Sequence, residues 1–299
     1  MIDRTMERTK MPTSISKYLT AAIVAVGITA LLGASPARAD EWKKSYTVSG
    51  RANLTVSTGD GDVTVSGGDQ RTIDASVTSD GYRIGPNDVQ VVESQNGDHV
   101  SIEIKFPHMS WHMWGGHHSL HVDVRVPREL DLDVRTGDGN VMASNVSGKL
   151  QFQSGDGNVS ANNIHGDIRM HTGDGRIDGH GFDGSLDADT GDGSMKIDGR
   201  FDSLSLKTGD GSIDAQAGSG SRVANSWNVH SGDGSITLRL ASDLNANLEA
   251  HTGDGNITLD FPIQVSGSLS HSAVHGKLNA GGNTLSVTSG DGSIHVEKI

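Results

Sequence analysis

From Ala52 to Val126, apolar and polar residues alternate in short runs. Ala52, Leu54 and Val56, then Val63 and Val65, Ile73, Ala75 and Val77, Val100, Ile102 and Ile104, and Val122, Val124 and Val126 each occupy every second position. A period of two marks a strand with one face buried. No comparable helical spacing occurs after residue 39.

From Arg135 the alternation becomes locked to a longer period. "RTGDGNV", "QSGDGNV", "HTGDGRI", "DTGDGSM" and "KTGDGSI" follow one another at 18-residue intervals. Nine Gly-Asp-Gly triplets occur in all, centred on Asp60, Asp138, Asp156, Asp174, Asp192, Asp210, Asp233, Asp254 and Asp291. The intervals after Asp210 are 23, 21 and 37, and Val274-His275-Gly276 stands where a degenerate triplet would divide the last. Apolar columns keep the same beat: Val141, Val159, Ile177, Met195 and Ile213 follow the triplets, and Leu150, Ile168, Leu186 and Leu204 follow a second, looser turn. Apolar residues in register between repeats predict a stacked core.

The expected fold is all-β. It is a β-solenoid of about 18-residue coils with two short strands per coil, stacked in chain order. Residues 40–130 read as an irregular, strand-rich N-terminal part, and residues 131–299 as the regular repeat. About nine coils at ~4.8 Å each would make a rod on the order of 40 Å long. The spacing of the columns fits no six-residue period, which sets it apart from left-handed β-helices of acyltransferases. Right-handed β-helices of polysaccharide lyases generally need longer coils with three sheets.

Residues 1–39 read as a secretory signal peptide rather than a membrane anchor. Arg4, Arg8, Lys10 and Lys17 precede an apolar stretch from Tyr18 to Gly33, and Ala37-Arg38-Ala39 supplies a small-residue cleavage site. That stretch is short for a span of ~20 residues, and no transmembrane span is expected in the mature chain. The expected location is the periplasm or the cell exterior. The full chain carries 24 Lys+Arg and 37 Asp+Glu, of which five and two belong to the leader, so the remainder has a net charge of −16. Such a surface repels nucleic acid and attracts cations. The absence of cysteine excludes disulfides, thiolate metal sites and a cysteine nucleophile.

The triplet invites three readings. As a turn, Gly on both sides of Asp would supply positive φ, while the Asp carboxylate and the preceding Ser/Thr hydroxyl accept backbone N–H groups. As a calcium ladder, Asp138, Asp156, Asp174, Asp192, Asp210, Asp233 and Asp254 would stand as successive neighbours ~5 Å apart, where oxygen-liganded cations relieve their repulsion. As a catalytic row it lacks the contrast of environment that paired carboxylates need. No P-loop, nucleophile elbow or His-Glu-x-x-His is present, and no enzyme is expected.

One segment breaks the pattern: "KFPHMSWHMWGGHHSLHVDV", Lys105 to Val124. It holds five of the fourteen histidines and two of the four tryptophans, and reads as a long hairpin with its loop over 105–121. His108, His112, His117, His118 and His121, with Met109 and Met113, could bind copper, nickel or zinc. Alternatively, Phe106, Trp111, Trp114 and the methionines could cap the end of the core or form a contact surface. No cofactor is required under any of these readings.

The run "HVDVRVPRELDLDVRTGDGNV", His121 to Val141, followed by repeated Gly-Asp-Gly coils, resembles the bacterial putative-adhesin family, from about Tyr46 to the end of the chain. Members typically carry a valine-rich strand ending in Val-Pro, a strand leading into Thr-Gly-x-Gly, and then Gly-rich parallel β coils. The resemblance implies an exported β-solenoid without established activity. The expected function is a non-enzymatic scaffold for adhesion or envelope interaction, with a surface glycan or an envelope protein as partner. The very regular Asp and the His/Trp/Met segment depart from that pattern.

Overall fold

A computed structural model describes residues 40–106, 119–260, 263–265 and 270–299. Within them lie 23 strands and no helix. In chain order these are β1 (Asp40–Thr47), β2 (Ala52–Ser57), β3 (Asp62–Gly68), β4 (Thr72–Asp80), β5 (Gln90–Asn96), β6 (His99–Lys105), β7 (Ser119–Pro127) and β8 (Glu129–Arg135). There follow β9 (Val141–Ser144), β10 (Ser147–Gln153), β11 (Val159–Asn162), β12 (His165–Thr172), β13 (Ile177–Thr190), β14 (Met195–Thr208), β15 (Ile213–Ala217) and β16 (Trp227–Ser231). The last are β17 (Ile236–Leu240), β18 (Ala246–Thr252), β19 (Ile257–Leu259), β20 (Ile263–Val265), β21 (Ala273–Leu278), β22 (Thr284–Ser289) and β23 (Ile294–Lys298).

Two faces run along the stack, and each triplet carries the chain from one to the other. The first face joins β2, β8, β10, β12, the second halves of β13 and β14, then β16, β22 and β18, all in parallel. The second joins β3, β9, β11, the first halves of β13 and β14, then β15, β17, β23 and β19, again in parallel. Inward side chains align across the coils. Leu54, Leu132, Leu150, Ile168, Leu186 and Leu204 form one buried column, and Val63, Val141, Val159, Ile177, Met195 and Ile213 another. Burying each such side chain contributes about 1.5–3 kcal/mol, which suits a chain without disulfides.

The irregular intervals have local causes. The interval of 23 holds the long connection 218–226 between β15 and β16, and the interval of 21 holds 241–245 between β17 and β18. Both extensions lie at the second turn, so the triplet edge stays in register. Phe182, Phe201 and Trp227 stack at that second edge, with ring centroids 6.4 Å apart at each step. Gly179 makes room for them, because a Cβ there would enter the Phe182 ring.

Three expectations need correction. First, the coils do not stack in chain order. β22 and β23 insert between the coil of β16 and β17 and the coil of β18 and β19. At the other end β2 and β3 lie between β6 and β7 on one side and β8 and β9 on the other. Equivalent apolar columns in every coil make such reordering possible. Second, β6 and β7 are not a hairpin. They pair in parallel with β2 and β3, as two strands of one coil, and residues 107–118 between them lie outside the described residues. Third, Val274-His275-Gly276 is no degenerate triplet turn. It belongs to β21, which runs antiparallel to β18. The strands β1, β4 and β5 at one end, and β20 and β21 at the other, continue the faces with antiparallel pairs.

Candidate functional site

The triplet edge is built from the Ser/Thr that precedes each Gly-Asp-Gly. Thr190 is buried; its Oγ1 donates to Gly175 O at 2.9 Å in the neighbouring coil and accepts Gly193 N–H at 3.3 Å in its own. Ser154, Thr172, Thr208, Ser231, Thr252 and Ser289 repeat both bonds. Beside them the first glycines join backbone to backbone, as from Gly191 N to Gly173 O at 2.5 Å. A hydroxyl ladder and an amide ladder therefore run along the stack together.

The glycines are required for a reason other than positive φ. No triplet glycine has φ in the left-handed region. What excludes a side chain is the adjacent coil: a Cβ at Gly191 would stand 2.6 Å from Gly173 O, and one at Gly193 would lie closer still to Gly175 O. Positive φ occurs at the second turn, where Gly148, Gly166 and Gly184 have φ of 138°, 112° and 138°. The expectation for Asp also changes. All nine triplet Asp residues are exposed, and among the described residues none of their carboxylates takes part in a hydrogen bond or ion pair. In seven of the nine turns the hydroxyl is the acceptor, and the carboxylate faces water.

Coil order sets which carboxylates are neighbours. The file runs Asp60, Asp138, Asp156, Asp174, Asp192, Asp210, Asp233, Asp291, Asp254, so Asp291 separates Asp233 from Asp254. Successive members follow the inter-strand spacing of about 4.8 Å. Among the described residues no three His, Asp or Glu side chains converge into a group that could hold a metal. His121 is exposed on β7, with its Nδ1 3.5 Å from Asp62 Oδ2. His108, His112, His117 and His118 lie outside the described residues.

The structure adds features that strand patterning does not reveal. On the second face a shallow groove of about 600 Å³ is lined by the half-exposed Met142 with Ser144, Ser160, Asn162, Arg176 and Lys196. A second groove of about 800 Å³, between β1, β4, β7 and β3, meets it at Thr64. At the end of the stack, buried Tyr46 donates its phenol to Glu93 Oε2 at 3.0 Å, and Lys44 pairs with the same carboxylate. The Lys44 ammonium holds Glu93 below the usual carboxylate range, with Tyr46 assisting. Burial, followed by the Glu93 bond, raises the Tyr46 phenol above its ordinary value. At the second edge Arg200 spans Asp183 and Asp202, and Arg222 also binds Asp202. The bond to Arg200 is the main cause of a lowered Asp202 carboxyl.

These elements define an all-β protein of parallel stacked coils, edged by Ser/Thr-Gly-Asp-Gly turns and closed at its ends by antiparallel strands. The chain belongs to the Toastrack DUF4097 family, whose model matches residues 51–297. No curated protein matches it in sequence. Among solved structures it is similar to a "putative lipid binding protein" from Parabacteroides distasonis, with 14% identity, 86% of this chain and 96% of that chain covered, and a TM-score of 0.44. A "putative adhesin" from Parabacteroides merdae matches with 14% identity over the same shares and a TM-score of 0.40. A "putative cell adhesion protein" from Clostridium sporogenes matches with 14% identity over 88% of this chain and 100% of that one, at a TM-score of 0.30. Among the described residues, no helix is long and apolar enough to cross a membrane.

Proposed function

We propose that this chain is an exported, non-enzymatic β-solenoid scaffold that presents repeated outward columns to a surface glycan or an envelope protein, in the manner of an adhesin. One observation carries the reading. The turn is made by Ser/Thr and two glycines, yet Asp stands at its centre nine times without a partner among the described residues. A side chain the turn does not use, repeated at every coil, serves the outside of the molecule. The leader-like residues 1–39 support export. A common exposed environment for all nine carboxylates disfavours acid–base catalysis, which needs contrast between partners.

Binding of residues 40–299 to envelope polysaccharides and outer-surface extracts tests the scaffold reading. Saturable binding that weakens when Asp174, Asp192 and Asp210 become Asn is the expected result. Specific turnover of any polymer by the purified protein would overturn it.

A second reading follows from the same file of carboxylates: calcium bridges them and stiffens the stack. Thermal melts after chelation, with calcium, zinc, nickel or copper(II) restored separately, distinguish the cases. A rise in Tm with calcium alone supports the Asp file. A rise with a transition metal alone points to His108, His112, His117, His118 and His121. No change with any ion removes the cation reading.

A further inference from the structure

The coil of β22 and β23 fills a slot whose two walls precede it in the chain. β22 pairs with β16 on one side and β18 on the other; β23 pairs likewise with β17 and β19. Leu285, Val287, Ile294 and Val296 are fully buried there. The walls carry matching columns, with Val229 and Leu238 on one side and Ala250 and Leu259 on the other. Recognition in the slot is therefore by backbone ladders and aliphatic columns. Neither distinguishes a coil of the same chain from the identical coil of another copy.

The connection that brings β22 into the slot has the features of a hinge. Residues 279–283 read Asn-Ala-Gly-Gly-Asn, and Asn279, Gly281 and Gly282 have φ of 51°, 74° and 157°. Such a reversal concentrates the change of direction in a few residues that can open into an extended linker. The outer wall has a second source of order, since β18 is also held by β21 from Ala246 to His251. We infer that residues 284–298 form an exchangeable coil that inserts into the same slot of a second copy, joining two chains by reciprocal insertion. Exchange restores the contacts of the inserted coil, so its cost is confined to association and to opening the connection, where Asn279 Nδ2 donates to Leu244 O and Asn283 Nδ2 to Val223 O. The inference concerns self-assembly and holds whether or not the outward columns bind a ligand.

The chain has no cysteine, so introduced thiols report on exchange directly. Asn228 and Ser286 are register partners on the first face, and Thr237 and His295 on the second. The single variants Asn228→Cys and Ser286→Cys, mixed as full chains at high concentration, warmed below the melting temperature and oxidised, are expected to give a covalent heterodimer. It should exceed several-fold the homodimer that either variant forms alone. The double variant in one chain should instead close an intrachain bond and remain monomeric. A heterodimer no more abundant than the homodimers, while the double variant closes, overturns the inference. The Thr237→Cys and His295→Cys pair applies the same criterion on the opposite face and protects the test against poor thiol geometry at one position.

Discussion

At the scale of single residues, the repeated tetrapeptide divides its labour unevenly. Thr190→Val removes a buried hydroxyl that both donates and accepts, and is expected to cost about 1–3 kcal/mol in a denaturant melt. Asp192→Ser, one turn-centre away and facing water, should stay within about 0.5 kcal/mol. Gly193→Ala brings a Cβ against Gly175 O and should destabilise by more than Thr190→Val does. If Asp192→Ser were the most damaging of the three, this division would be wrong. The sequence makes the tetrapeptide conspicuous but leaves its chemistry ambiguous. A glycine needed for positive φ and a glycine needed for close approach are written with the same letter, and only the position of the next coil separates them.

At the scale of elements, antiparallel strands close the stack, and side chains pin them there. β1 is tied to β5 through Lys44, Tyr46 and Glu93. Because the folded-state pKa of Glu93 is depressed, its contribution is present above the unfolded carboxylate pKa and is lost as pH falls through the folded value. Glu93→Gln should therefore lower Tm at pH 7, and that difference should shrink steadily as the pH falls through the folded value. An equal loss across that range would mean the residue acts through packing alone. Strand positions such as Leu54 and Val56 were legible from alternation, because burial on one face leaves a period of two. The pairing of β6 with β2 was not. Two alternating runs flanking a loop look alike whether they pair with each other or with a third pair of strands.

At the scale of the whole molecule, charge and coil order matter most. A chain of net charge −13 with a nine-membered file of exposed carboxylates repels itself, and salt screens that repulsion with a Debye length of about 10 Å at 0.1 M. Raising NaCl from about 0.01 M to about 0.15 M should increase Tm. Asp174→Asn, Asp192→Asn and Asp210→Asn combined should reduce that increase. An unchanged salt response in the triple variant would assign the effect to charges elsewhere. The period of 18 made the stack readable because each coil repeats the same columns. That same equivalence hid the order of the coils, since Ile236 can face Ile257 or Ile294 with equal chemistry. The enclosed position of β2 and β3 also bears on how the chain acquires its structure over time. Synthesis delivers residues 52–68 early, but their lateral partners span 99–105 and 119–144. Growth coil by coil from the leading end is therefore blocked, and these strands keep open hydrogen-bonding edges until some 76 further residues have followed. Contacts of such long sequence separation fold slowly, so a passing chaperone meets open strand edges of this protein before the protein itself is complete.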